Sequence, residues 1–335
     1  MRIATITGKF QGTVAERPDP RPKNDIVVVK VHAAPMCTEY TMFRDGEVYD
    51  RLGHEAAGEV VAVDRCSRLK VGDRVIVQPQ SACGGCPLCR SGAFIHCTSN
   101  RDLLGETGSA AGIGTMAQYL LQSEAYLTPI PEGLGYEHAA MACCGLGPTF
   151  GGMQAMQVDA FDTVLISGLG PVGLGGVINA RQRGARVIGV DSNPYRAELA
   201  RRLGAMAVID PRQEQAAQQV RDLTGGRGAD KALETSGTAV SKPFLLDVVR
   251  RRGQIAFIGW KGQLDVDTII QKGLTLHGAW HYNHHDVPRL LQVIQGVSSQ
   301  LDQLITHRFP LDQVQQAWEL QVGGQCGKVI LQPWA

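Results

Sequence analysis

Residues 163–191 read TVLISGLGPVGLGGVINARQRGARVIGVD, and this stretch decides the fold of the second half of the chain. A short apolar run, a glycine turn, a helix-compatible segment and a second apolar run together make a βαβ unit. Gly168, Gly170 and Gly173 stand in G-x-G-x-x-G spacing, with Leu169, Pro171 and Val172 between them, at the junction of strand and helix where that spacing has a mechanism. The first glycine permits the tight turn, the second lets a pyrophosphate approach the backbone, and the third lets helix and strand pack closely. The helix N-terminus adds a field that favours phosphate. Pro171 suits the first helical turn because it lacks an N–H that would be unpaired there.

Working outward, Asp191 ends the second apolar run, about twenty residues beyond the glycines, where an acidic side chain can accept hydrogen bonds from ribose hydroxyls. A carboxylate there repels a 2′-phosphate, so NAD(H) is expected over NADP(H). Arg196 lies close enough in sequence to lend charge to the same pocket. The alternation continues through KALETSG and QIAFIG, which implies a doubly wound parallel sheet and an α/β fold. After Asp286 the segments VPRLLQVIQGV, LITHRFP, DQVQQAWELQV and GKVILQP do not repeat the unit. The first half is different again, with β-rich runs such as DIVVVKVHAA, AAGEVVAVD and GDRVIVQP punctuated by glycine and proline.

The chain has 335 residues, too many for one comfortable core, and two domains are expected. Its 44% hydrophobic and 19% charged content is that of an ordinary globular protein. A formal charge of +1 with no long like-sign run offers no footprint for nucleic acid or anionic lipid, which leaves a small molecule as the expected partner. The start MRIATITGKFQGTV has none of the features of a signal peptide, and no apolar run is long enough to span a bilayer. A cytoplasmic protein is expected.

Four of the nine cysteines crowd into one loop, SACGGCPLCRSGAFIHC. Cys83, Cys86, Cys89 and Cys97 form C-x2-C-x2-C-x7-C, and thiolates so spaced can converge on one tetrahedral zinc. Four sulfur ligands leave no open coordination place, so this zinc would brace the loop.

Two other residues stand at the edges of β-rich segments, Cys37 in APMCTEY and His54 in LGHEAAGEV. With GHE, GDRV, the four-cysteine loop and GLGPVG in this order, the chain resembles the zinc-containing medium-chain alcohol dehydrogenases, nearest the polyol, sugar and cyclitol branch, over essentially its whole length. The resemblance implies a GroES-like catalytic domain over 1–145, a Rossmann domain over 146–286, and a return to the catalytic domain over 287–335. It implies a second, catalytic zinc held by Cys37, His54 and a cysteine shortly before the nucleotide-binding strand. Cys144 is preferred to Cys143 because of its distance to Thr149, which resembles the family's nicotinamide-contacting threonine. Glu55 resembles the family's glutamate beside the zinc, able to orient the site or ligate transiently. A homodimer or homotetramer is also implied.

The pattern departs from the family at Glu39, where a serine or threonine usually passes the substrate proton onward. Either Glu39 acts as acid or base, or Thr38 serves through a shifted turn, or the relay differs. The implied reaction is hydride transfer between a secondary alcohol and NAD, with zinc as Lewis acid. Polar and aromatic loops, FRDGEVYDR from Phe43 to Arg51, Trp260-Lys261 and Trp280 to His285, lean towards a polyol, sugar, cyclitol or amino alcohol. The alternatives are a zinc- or redox-sensing protein on an inactive scaffold, and an NADPH-dependent quinone or enoyl reductase, which the cysteine loop and Asp191 both oppose.

Overall fold

The computed structural model describes residues 1–335. The chain divides into two compact units, one of Met1–Cys144, Asn283–Gln295 and Ile305–Ala335, the other of Gly145–Tyr282 and Gly296–Leu304.

The first unit is built on a seven-stranded sheet. Its order runs Ile305–Pro310, Lys328–Gln332, Ile26–Pro35, Ala56–Ala62, Arg74–Val77 and Leu127–Pro129, and Tyr119–Ser123 also pairs with Ile26–Pro35. The long strand Ile26–Pro35 is apolar except for the half-buried Lys30 and His32, because both of its faces are largely covered. Val27, Val29 and Val31 enter a core with Phe43, Trp318 and Leu331, while Ile26 and Val28 pack against Leu103 and Leu121. Phe43, expected near a substrate, is fully buried in this core, its ring stacked 5.4 Å from that of Trp318. An aromatic side chain of that size contributes most where it can be wholly desolvated.

The second unit holds six parallel strands in the order Ala207–Ile209, Arg186–Val190, Thr163–Ser167, Ala229–Glu234, Val249–Phe257 and Thr275–Gly278. Chain order is thus third, second, first, fourth, fifth, sixth, and the direction of winding reverses at Thr163–Ser167. In such sheets ligands bind outside the carboxyl ends of the strands at the reversal point, here the glycine turn at Gly168.

The expected return segment 287–335 is not continuous. Gly296–Leu304 belongs to the nucleotide unit, and the helix Ser298–Leu304 buries Leu301 and Leu304 there, before the chain goes back at Ile305. The passage from the nucleotide unit falls after Tyr282 instead of after Asp286. His284 donates its backbone N–H to the Gly92 carbonyl at 2.8 Å, which ties Asn283–Gln295 to the cysteine loop.

Candidate active site

The glycine turn gives each of its glycines a separate role. Gly168 has φ +92°, and a Cβ on it would stand 2.6 Å from Ser236. Gly173 tolerates no side chain because its Cβ would overlap the Gly168 carbonyl, whereas at Gly170 nothing lies within 4 Å of where a Cβ would be. Gly170 is also the N-cap of the helix Pro171–Gln182 and has no capping side chain, which leaves backbone N–H groups facing open space, a cradle suited to a pyrophosphate. Asp191 hangs over the turn. One carboxylate oxygen accepts the Leu169 N–H at 2.7 Å, and the other accepts the Asn193 N–H at 2.8 Å. Arg196 donates its backbone N–H to Asn193 Oδ1, and its Nε is buried without a partner. Thr149 is buried in the same unit, with its hydroxyl donating to the Leu146 carbonyl at 3.1 Å and accepting from Asn179 at 2.8 Å. Both bonding directions of that hydroxyl are occupied within the protein.

In the cysteine loop the four sulfur atoms all lie within 4.8 Å of one another. Three of the separations are 3.5, 3.9 and 4.0 Å. Four sulfurs each about 2.3 Å from a common centre would stand about 3.8 Å apart, so the loop fits a tetrahedral zinc. The backbone supports the charge such ligands carry. N–H groups of Cys86, Cys83 and Ser99 point at sulfur, and backbone donation, from Cys89 first, pushes the Cys86 thiol down to about 6. His284 and His285 pack on this loop, the first edge-on to Phe94 and the second where a side chain at Gly92 would collide. Of these two histidines, both expected in a substrate loop, His284 is taken up by the loop's packing and His285 stays exposed. His96 is not part of the sulfur cluster.

A second cluster gathers Cys37, His54, Glu55 and Cys144, with one ligand atom from each inside 4.8 Å. Cys37 follows the strand Ile26–Pro35, His54 and Glu55 precede Ala56–Ala62, and Cys144 follows the short helix Tyr136–Ala140. His54 Nε2 lies 3.2 Å from Cys144 Sγ. The neighbouring Cys143 points the other way, its thiol donating to the Val77 carbonyl at 3.0 Å. A hydrogen bond from the Cys144 thiol holds the Cys37 thiol well below its usual range against the effect of burial. Burial works against a charged His54, yet Glu39 and Cys37 raise its affinity for a proton well above normal. A place where a cation is favoured between thiolate and imidazole fits a zinc with three protein ligands.

Glu39 is buried beneath this cluster. One of its oxygens is 2.9 Å from His54 Nδ1, and the other accepts the Cys37 N–H at 2.9 Å. Nδ1 therefore carries the proton, and Nε2 is left to face the cysteines. With both oxygens engaged, Glu39 is placed to hold the His54 ring in one orientation. Thr38 next to it is exposed.

Sequence reasoning missed Lys328. Its Nζ lies 2.6 Å from Glu55 Oε1, with both side chains fully buried, while Glu55 Oε2 accepts the Cys144 N–H at 3.2 Å. Burial opposes the lysine's charge but Glu55 more than restores it, and burial pushes the Glu55 carboxyl up to about 7 against the pull of Lys328. A signal existed in GKVIL, where a lysine precedes three buried apolar residues at the start of a strand. Gln321, also missed, donates to the Cys37 carbonyl at 3.3 Å.

A nucleotide-binding parallel sheet carried by the same chain as a thiolate–imidazole metal cluster defines a metal-dependent, nucleotide-linked oxidoreductase. Comparison with known proteins narrows that class. Residues 23–132 match the alcohol dehydrogenase GroES-like domain, and residues 171–296 match the zinc-binding dehydrogenase domain. The chain is 33% identical to an uncharacterized zinc-type alcohol dehydrogenase-like protein of Escherichia coli, with 99% of this chain and 98% of the relative covered. It is 31% identical to the sorbitol dehydrogenase of Bacillus subtilis, over 99% and 97%. It is 34% identical to the L-threonine 3-dehydrogenase of Symbiobacterium thermophilum, over 96% and 94%. Among solved structures, the alcohol dehydrogenase TADH from Thermus sp. ATN1 superposes with a TM-score of 0.88 at 28% identity, over 99% of both chains. The chain belongs to the zinc-type alcohol dehydrogenase family. No helix is long and apolar enough to cross a membrane.

Proposed function

We propose that the protein oxidises a secondary alcohol, with polyols, sugars, cyclitols and amino alcohols favoured, using NAD and two zinc ions per chain. The observation that carries this reading is the cluster of Cys37, His54 and Cys144 with Glu39 behind the histidine. A catalytic zinc has three protein ligands and one open place, and the imidazole side of this cluster is the accessible one, His54 being 34% exposed. Bound zinc would supply a Lewis acid for the alcohol oxygen and bound NAD the acceptor for hydride.

The remaining work falls to side chains of the chain itself. Cys37 and Cys144 offer sulfur, Glu39 fixes the tautomer of His54, and Lys328 pairs with one oxygen of Glu55. Thr38, exposed at the turn, is the residue left to hand a proton towards solvent. Asp191 and the open side of Gly170 would seat the adenosine ribose and the pyrophosphate, and the negative charge of Asp191 favours NAD over NADP. Cys83, Cys86, Cys89 and Cys97 would hold the second zinc as a brace. The relatives named sorbitol dehydrogenase and L-threonine 3-dehydrogenase support a substrate with more than one polar group. A family scaffold of this kind supports a cytoplasmic homo-oligomer.

NADH formation across a panel of sugars, cyclitols, amino alcohols and simple alcohols tests the reading, with zinc counted in the same preparation. Turnover of at least one polyhydroxylated or amino-bearing alcohol is expected. Zinc-replete protein that oxidises no alcohol would refute it.

A further inference from the structure

The strand Ala229–Glu234 ends on a fully buried carboxylate, inside the nucleotide unit and outside both cysteine clusters. Several donors converge on one of its oxygens. Glu234 Oε1 accepts the Ser236 N–H at 3.0 Å, the Ser236 hydroxyl at 2.6 Å, the Gly237 N–H at 3.1 Å and the Ser241 hydroxyl at 2.7 Å. Oε2 has no hydrogen-bond partner and lies 3.7 Å from Lys242 Nζ, which donates to the Lys261 carbonyl. A carboxylate is costly to bury, and the hydrogen bonds that offset the cost here all come from residues 236–241 of the loop that follows it.

The loop so gathered presses on two other strand ends. Thr235 donates its hydroxyl to the Gly168 carbonyl at 2.7 Å, and a Cβ on Gly168 would stand 2.6 Å from Ser236. A Cβ on Gly259, just beyond Val249–Phe257, would stand 2.4 Å from Glu234 Oε2 and as close to the Gly237 nitrogen. Glu234 thus sets the spacing of the turns after Thr163–Ser167, Ala229–Glu234 and Val249–Phe257, which are neighbours in the sheet.

A dinucleotide with its pyrophosphate at Gly170 and its adenosine ribose at Asp191 uses the ends of Thr163–Ser167 and Arg186–Val190. Its other nucleoside is left the opposite side of the winding reversal, over the turns that Glu234 holds. Fully buried, Glu234 cannot itself touch a ligand. Resting on the NAD-linked function proposed above, we propose that Glu234 is a positioning residue for the nicotinamide half of the cofactor, fixing the turns at 235–237 and 258–260 as its seat.

The test separates the two halves of the cofactor by binding, without turnover. Glu234→Gln keeps the side chain's shape but sets a neutral amide among the donors, and Kd for NADH should rise about tenfold, the loss of one charge-assisted contact, while Kd for AMP, which has the adenosine half alone, stays within about twofold. Bound NADH should also emit nearer the wavelength of the free cofactor, a change that a loss of stability alone does not produce. Ser241→Ala removes one donor, leaves the charge in place and should show the same asymmetry at about threefold; it carries the test if Glu234→Gln does not fold. Equal losses for NADH and AMP would overturn the assignment. So would variants that bind NADH with wild-type affinity and emission, whatever their stability to urea. Wild-type protein that binds NADH yet oxidises no alcohol counts against the proposed function alone, since the binding comparison still decides Glu234. Wild-type protein that binds neither NADH nor AMP overturns both.

Discussion

Replacing Glu39 with Gln keeps the side chain's shape and removes its charge. Glu39 accepts two hydrogen bonds on two different oxygens, from His54 Nδ1–H and from the Cys37 N–H, both at 2.9 Å. An amide has one oxygen, so one of those donors must face an NH2 group. A bond to a charged acceptor is worth about 1.5–3 kcal/mol and roughly half of that to a neutral one, and an unpaired buried donor costs about 1–3 kcal/mol more. Part of this falls on folding and part on the metal, and partners of a histidine ligand typically govern metal affinity about 10- to 100-fold, or about 1.4–2.8 kcal/mol. The expected result is a catalytic zinc bound about 10- to 100-fold more weakly, measured by competition with a chelator of known affinity. With zinc in excess, kcat should recover to within about tenfold, and the pH profile should keep its shape. If zinc affinity stays within about threefold while turnover collapses and one limb of the pH profile disappears, Glu39 is a proton carrier and the orienting role is wrong.

Asp191→Gly should erode the preference for NAD over NADP by removing the carboxylate that repels a 2′-phosphate, and an unchanged ratio of kcat/KM for the two cofactors would contradict the assignment. Cys97→Ser should lower the zinc content by one per chain and speed proteolysis within residues 83–97, while the other zinc stays bound, as mass spectrometry of cut and uncut protein would show. Asp230 accepts the Thr163 N–H at 2.8 Å and pairs with Arg250 at 2.6 Å; although burial raises its pKa, these bonds hold it below its usual range. A carboxyl depressed in the fold stabilises above its unfolded pKa and loses that contribution as pH falls through the folded value. Asp230→Asn should therefore cost about 1–2 kcal/mol at neutral pH, discounted for the solvent near Arg250. In urea titrations the cost should shrink below about pH 4.

The glycine turn was legible because its function is local. Gly168, Gly170 and Gly173 act through their own backbone conformation and their immediate neighbours, and spacing encodes both. The sulfur loop was legible for the same reason, four cysteines within fifteen residues. The cluster around His54 is assembled from residues 107 positions apart, Cys37 to Cys144, and no local pattern states such a contact. Glu39 illustrates the difference. Its position in CTEY invited comparison with a proton relay, but its 2.9 Å contact is with His54 Nδ1, fifteen residues away, which no local pattern states. The strand pattern marks Lys328 as unusual but cannot name its partner, since Glu55 lies 273 residues earlier. Polarity in a sequence does not say what covers it, and of the aromatic and histidine loops Phe43 is buried in the core and His284 packs against Phe94.

Zinc content and NADH formation measured on Cys37→Ser beside the wild type test the central claim most directly. The wild type should hold two zinc ions per chain and turn over alcohol. The variant should keep one zinc and bind NAD nearly as well, yet form no NADH. A Cys37→Ser protein that holds two zinc ions and oxidises alcohol at the wild-type rate would remove Cys37 from the site and the proposed chemistry with it.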